Sequence, residues 1–289
     1  MIFTSGLSVP EGPVCLPDKS WLCVEMGAGR GCVTHVSADG KTKRVVAQTG
    51  RPNGLAVDRA GNIWVAESSE PALLRLRLDG TCEVFLKDCN GLPFMFPNDL
   101  CFGPDGLLYL TDSGIYVEDF APGGQIRPDY ALAQTDGRVY QINTQTREIA
   151  MVDRGIRFTN GIAIGPERNL YVNETLTGFV YRYELRGGQV GRRQYFGDVV
   201  DPHAAPGYKG PDGMKFGLDG HLYVTVYGQQ DVTVLGPTGS VVRRMRTLGK
   251  NPTNVAFGLP PENKIYVTEV ELGQIEVHDV DTAGLPLYS

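Results

Sequence analysis

The sequence predicts an all-β fold, a six-bladed β-propeller, with residues 1–289 as a single domain. Three observations predict it: one pattern recurs six times, each copy holds a hairpin turn, and helical periodicity is nowhere sustained.

The pattern is plain in "TNGIAIGPERNLYVNET" from Thr159: a polar residue, a small residue, an alternating strand, a tight turn, then a second strand. It recurs as "PEGPVCLPDKSWLCVEM" from Pro10, "PNGLAVDRAGNIWVAES" from Pro52 and "PNDLCFGPDGLLYLTDS" from Pro97. It returns as "PDGMKFGLDGHLYVTVY" from Pro211 and, more weakly, "PTNVAFGLPPENKIYVTEV" from Pro252. The turns "RAGN", "GPDG" and "GLDG" are hairpin punctuation. Segments such as "CVTHVS", "ALLRLRL", "GRVYQI" and "GFVYRYEL" supply further strands between copies. The polar position falls at 11, 53, 98, 160, 212 and 253, spacings that suit a four-stranded blade plus loops. A lone blade cannot bury both faces, but blades closed in a ring pack on each other. Closure is expected to use "IFTSGL" or "IEVHDV" as a strand of a shared blade.

Composition narrows the partners. The net charge of −6 and pI near 5.3 leave no basic footprint for nucleic acid. No apolar run reaches the length of a membrane span, and "MIFTSGLSVPEG" lacks the basic and apolar regions of a secretory signal. The six cysteines form no CxxC pair, so they read as free thiols, and the expected location is cytoplasmic. Oligomeric state is not legible.

In a propeller the innermost strands line a central channel, so Glu11, Asn53, Asn98, Asn160, Asp212 and Thr253 converge on one axis. Gly12, Gly54, Gly161 and Gly213 follow the polar residue and permit close backbone approach. Glu11 and Asp212 facing each other need a counter-charge, and a divalent cation supplies it with Asn carbonyls as neutral donors. The channel is thus expected to bind one metal ion: Ca²⁺ first, with Mg²⁺, Mn²⁺ or Zn²⁺ as alternatives. Asn53 and Thr253 read as ties between blades. The acids ending the second strands, Glu25, Glu67, Asp112, Glu174 and Glu269, are expected to hydrogen-bond the backbones of neighbouring blades.

Glu11 in "EGP", Asn98 in "PND", Asn160 in "TNG" and Asp212 in "PDGM" make nearly the whole chain resemble the gluconolactonase family, also called the regucalcin or senescence-marker-protein family. Members are six-bladed propellers that hydrolyse sugar lactones with a divalent metal in the channel. The resemblance implies Glu11, Asn160 and Asp212 as metal ligands, with Asn98 facing substrate and a metal-bound water. Propellers of the diisopropylfluorophosphatase type use a similar constellation on phosphorus esters. One departure stands out: where animal members carry an arginine two residues before the substrate asparagine, this chain has Phe96. An aromatic ring cannot fork two hydrogen bonds to a polyol, so a more apolar lactone or ester rivals a sugar lactone.

The insertion 113–137 is expected to cover this face, with Tyr116, Phe120, Arg127 and Tyr130 as candidate contacts. His203, in a loop leading to the channel, joins Asn98, Phe96 and Tyr116 as a candidate substrate-binding residue. No G-x-S-x-G elbow occurs, which disfavours covalent serine catalysis. The expected activity is metal-dependent opening of a lactone by activated water, with Asp212 as proton acceptor. The alternatives are another ester class, including phosphorus esters, or a non-catalytic binding propeller.

Overall fold

Six four-stranded antiparallel sheets form the molecule, in a computed structural model that describes all 289 residues. Blade 1 comprises Pro10–Cys15, Trp21–Glu25, Cys32–Val36 and Lys43–Gln48, and blade 2 comprises Pro52–Val57, Ile63–Glu67, Ala72–Leu76 and Cys82–Leu86. Blade 3 runs through Pro97–Phe102, Leu108–Asp112, Gly137–Ile142 and Ile149–Ile156, and blade 4 through Thr159–Ile164, Leu170–Glu174, Phe179–Tyr183 and Gln194–Asp198. Blade 5 is built from Gly210–Phe216, Leu222–Tyr227, Asp231–Leu235 and Val241–Arg246. Blade 6 takes Pro252–Phe257, Lys264–Glu269 and Gln274–Asp279 from the C-terminal end and Ile2–Ser5 as its outer strand. Both segments expected at the closure are therefore used, paired with each other.

The core shows why the ring closes. Six of the seven buried apolar clusters lie at blade interfaces, one for each pair of neighbours. Between blades 2 and 3, for example, Trp64, Leu73 and Phe85 pack against Leu100, Leu108 and Tyr140. Removing one such aromatic costs about 3–5 kcal/mol, because both sheets are pleated around it. Hydroxyls tie the same seams: Thr111 donates to the Asn160 carbonyl (2.7 Å), Thr225 to Thr253 (2.8 Å) and Thr253 to Pro10 (2.9 Å).

The C-terminal tail lies along the lower ends of inner strands. Leu285 N–H donates to the Phe216 carbonyl (2.9 Å), and Tyr288 bridges to Phe102. The seventh cluster sits on the opposite face, where the insertion 113–137 folds as a short helix, Val117–Phe120, and two single turns. No helix is long and apolar enough to cross a membrane.

Candidate metal centre

A one-residue bulge at the head of every inner strand builds the site. Glu11 pairs with Val24 but Val14 with Leu22, and the same extra residue occurs at the matching place in the other five blades. A bulge sets two residues against one and turns both toward the open side. The first bulge position carries Asn53, Asn98, Asn160, Asp212 and Thr253. The second carries Gly54, Asp99, Gly161, Gly213 and Asn254.

The glycines are there for space. A Cβ on Gly54 would lie 2.6 Å from the Asn98 carbonyl oxygen and 2.7 Å from Asp99 Cα, and one on Gly213 would overlap the Asn254 amide. The glycines leave room for two side chains, Asp99 and Asn254, from opposite blades. Asn254 Nδ2 donates to Glu11 Oε1 (2.8 Å) and reaches Asp99 Oδ2 (3.4 Å). Lys215, two residues beyond Gly213, places its charge where it acts on both Glu11 and Asp99.

Three carboxyls thus crowd the axis. Burial pushes Glu11 well above the ordinary carboxylate range, Asp99 and Asp212 push it further, and Asn254 and Lys215 oppose. Burial and then Asp99 likewise raise Asp212 well above its usual value, against the Asn160 amide. Asp99 is raised by burial, with Lys215 and the Leu100 N–H pulling the other way. Glu11 is buried, whereas Asp212 is half-buried toward the mouth.

The donor set fits a hard divalent cation. Glu11 Oε2 and Asn160 Oδ1 are buried oxygens without any hydrogen-bond partner, a costly state unless something else satisfies them. Asn160 Nδ2 is already committed to Thr175 Oγ1 (3.2 Å), which fixes the amide with its oxygen free. Oxygen-only acceptors with excess negative charge suit Ca²⁺ or a similar ion.

Residues 9–271 match the family described as SMP-30/Gluconolactonase/LRE-like region. The chain belongs to this family. A lactonase from Staphylococcus haemolyticus is 30% identical over 92% of this chain and 79% of its own length. The strictosidine synthase-like 6 protein of Arabidopsis thaliana is 27% identical over 76% of this chain, but the match spans only 57% of that protein. The chain spans about half the length of the plant relatives it matches. Among solved structures, a gluconolactonase from Xanthomonas campestris superposes with a TM-score of 0.75 at 21% identity, covering 96% of this chain and 87% of that one. A calcium-binding regucalcin from Agrobacterium tumefaciens gives 0.78 at 19%, covering 100% and 99%. At these identities the structures share the fold.

Against that family frame, Glu11, Asn98, Asn160 and Asp212 all head inner strands around one axis. Asn98 donates to Ser113 Oγ (2.9 Å) and accepts from Asn53 Nδ2 (3.1 Å), so Asn53 both ties blade 2 to blade 3 and orients Asn98. Thr253 bonds Thr268 Oγ1 (2.8 Å) and Pro10, leaving Asn254 as the channel residue of blade 6. Phe96 is buried in the cluster above the ring with Ile115, Val117, Phe120, Ala133 and Phe158. Tyr116, by contrast, is 42% exposed and outside that cluster. His203 is not brought to the ring: it is exposed and lines a separate cavity of about 420 Å³ with Asp201, Gln229, Asp231, Arg244 and Lys250. Arg127 is half-buried and paired with Asp129 (2.7 Å).

The strand-end acids differ from expectation. They bond the segment leading into their own blade, not a neighbour. Glu67 accepts the Arg51 and Ser69 N–H groups (2.7 and 2.8 Å), and Asp112 accepts those of Met95, Phe96 and Gly114. Blade 5 has Val226 in place of such an acid, followed by Tyr227. Tyr227 meets Tyr208 edge to face (5.6 Å), and the Tyr208 hydroxyl is raised first by burial and then by Asp212. Sequence reading missed Asp99, Asn254, Lys215 and Tyr208. For the first two the signal is present: "PND" and "PTN" break the polar–Gly rule where a side chain enters the channel, so "ND" and "TN" mark the exceptions.

Proposed function

We propose that the protein is a divalent-metal-dependent hydrolase that opens the ring of a small lactone, with residues 1–289 acting as one unit. The observation that carries this reading is the pair of buried, unpartnered oxygens, Glu11 Oε2 and Asn160 Oδ1, beside the half-buried Asp212 carboxylate. Family membership and the Staphylococcus haemolyticus lactonase support the substrate class.

Glu11, Asn160 and Asp212 would hold the ion. A divalent cation so held supplies Lewis-acid polarisation of the scissile carbonyl and makes a neighbouring water easier to deprotonate. Asp212 faces the mouth and takes a proton from the attacking water as the new C–O bond forms. It returns that proton to the alkoxide released when the ring C–O bond breaks, giving a hydroxy acid. Asn98 has one amide hydrogen beyond its bond to Ser113 with which to position water or substrate. Asn254 and Lys215 steady Glu11 and Asp99 from below. The roof of Phe96, Phe120 and Phe158 limits bulk water at the mouth.

The test is a panel of five- and six-membered lactones assayed with a pH indicator, using chelated protein reloaded with Ca²⁺, Mg²⁺, Mn²⁺ or Zn²⁺. Acid release that depends on added metal is expected. Full activity in exhaustively metal-free protein would overturn the mechanism. Turnover of phosphorus esters without any lactone would overturn the substrate class, and no turnover of either would leave a binding propeller.

A further inference from the structure

The position two residues before the polar ring residues Glu11, Asn53, Asn98, Asn160, Asp212 and Thr253 forms a collar over the channel mouth. Its members are Val9, Arg51, Phe96, Phe158, Gly210 and Asn251. Their equivalence shows in the backbone: the carbonyls of Val9, Arg51, Phe96, Phe158 and Asn251 accept the N–H groups of Met26, Ser68, Ser113, Thr175 and Val270. Arg51 is the collar's sole cation. It stands in blade 2 where Phe96 stands in blade 3, and its guanidinium lies over the Phe96 ring at 5.2 Å, with Phe158 beyond at 5.8 Å.

The Arg51 backbone is pinned, but its side chain is hardly used. The N–H goes to Glu67, and the carbonyl accepts from Ser68 N (3.1 Å) and Ser68 Oγ (2.8 Å). The guanidinium makes one hydrogen bond, Nη1 to Ser68 Oγ (3.0 Å), and has no carboxylate within ion-pair distance. The buried Arg138 differs: it pairs with Asp136 and bonds Pro93 and Tyr140 as well. Arg51 is half-buried, and burial lowers its pKa while the charges of Glu67, Glu118 and Glu11 pull it back up. The ring it overlies, Phe96, belongs to the cluster above the ring, which puts the cation at the channel mouth.

A guanidinium carries five N–H donors in a planar fork matched to a carboxylate. Held against an aromatic face with one donor used, it is organised for an anion at small further entropic cost. Neutral hydroxyls would replace water with equals, whereas a charge-assisted pair is about twice as strong.

We propose that Arg51 binds a carboxylate carried by the substrate away from the scissile bond, which makes the substrate class an acidic lactone. This deepens the lactonase reading and rests on it for the word lactone.

The test uses metal-loaded protein, native and with Arg51→Met or Arg51→Lys, on a five-membered lactone bearing a ring carboxylate and on its uncharged amide. For Arg51→Met, KM for the acidic lactone should rise roughly 30-fold with kcat within about 3-fold, and kinetics on the amide should move less than about 3-fold. Arg51→Lys, which keeps charge but loses the fork, should fall between. Equal effects on both substrates, or none, would overturn the assignment. Calorimetry with the ring-opened hydroxy diacid and its monoamide separates this from the parent reading. Native protein should bind the diacid at least about 10-fold more tightly than the monoamide, and Arg51→Met should abolish the preference. If that preference holds while no lactone turns over, Arg51 stands and the lactonase reading falls. If lactones turn over and the preference is missing, the Arg51 assignment falls.

Discussion

Two sets of acids sit on the same face of this propeller and have opposite surroundings. The outer set, Glu25, Glu67, Asp112, Glu174 and Glu269, closes the second strands and is fed by backbone N–H groups. Asp112 accepts three, from Met95, Phe96 and Gly114, and Glu269 three, from Asn251, Glu271 and Leu272. The axial set, the buried Glu11 and Asp99 and the half-buried Asp212, lies among like charges with few donors: one amide, Asn254, serves both Glu11 and Asp99. A carboxylate with its donors in place is scaffold; one denied them is what we propose holds a cation. Glu67 is the intermediate case, with two N–H groups on one oxygen and the other buried without a partner.

The sharpest way to break this division is through turnover. Asp212→Asn keeps an oxygen donor but cannot accept a proton, so kcat should drop about 10²-fold or more with the fold intact. If saturating metal restores near-native turnover, Asp212 is a ligand and not the base. Glu11→Gln should instead weaken metal affinity roughly 100-fold, with activity recovered at high metal concentration.

The outer set should answer in stability. Asp112→Ala strands three buried N–H groups and should cost about 3 kcal/mol in denaturant unfolding, with the surviving folded protein still binding metal. A loss of metal affinity at constant stability would mean that the two sets are not separate.

These divisions were partly legible in the chain. The six-fold repeat was, because hairpin turns and alternating strands are local signals, and so was the ring of first bulge residues. The bulge itself was not, since an extra residue shows only when strands pair. Asp99 and Asn254 therefore read only as strand residues, although they lie in the space that Gly54 and Gly213 leave. Thr253, which reads as a tie between blades, is one, donating to the Pro10 carbonyl across the seam. Arg51 shares its register with Phe96, but its use depends on which ring it overlies, a fact of neighbouring blades. The direction of the outer acids, toward their own blade, was hidden for the same reason.

The smallest expected effect concerns acid. Burial alone would raise Glu25, but Arg30, Thr34 and the Ser8 N–H bring it below the ordinary carboxylate value. A depressed folded pKa gives stability that is present above the unfolded value, near 4.3, and is lost as pH falls through the folded one. Glu25→Gln should therefore flatten the acid limb of the stability profile below about pH 4. An unchanged limb would assign acid lability elsewhere.

The central claim, that the axial acids exist to hold one divalent ion, is tested most directly by calorimetric titration of Ca²⁺ into chelated protein with elemental analysis of the product. One ion per chain is expected, bound far more weakly by Glu11→Gln and Asp212→Asn. Stoichiometric binding that both variants retain at native affinity, or no binding by the native protein to any of the four cations, would contradict it.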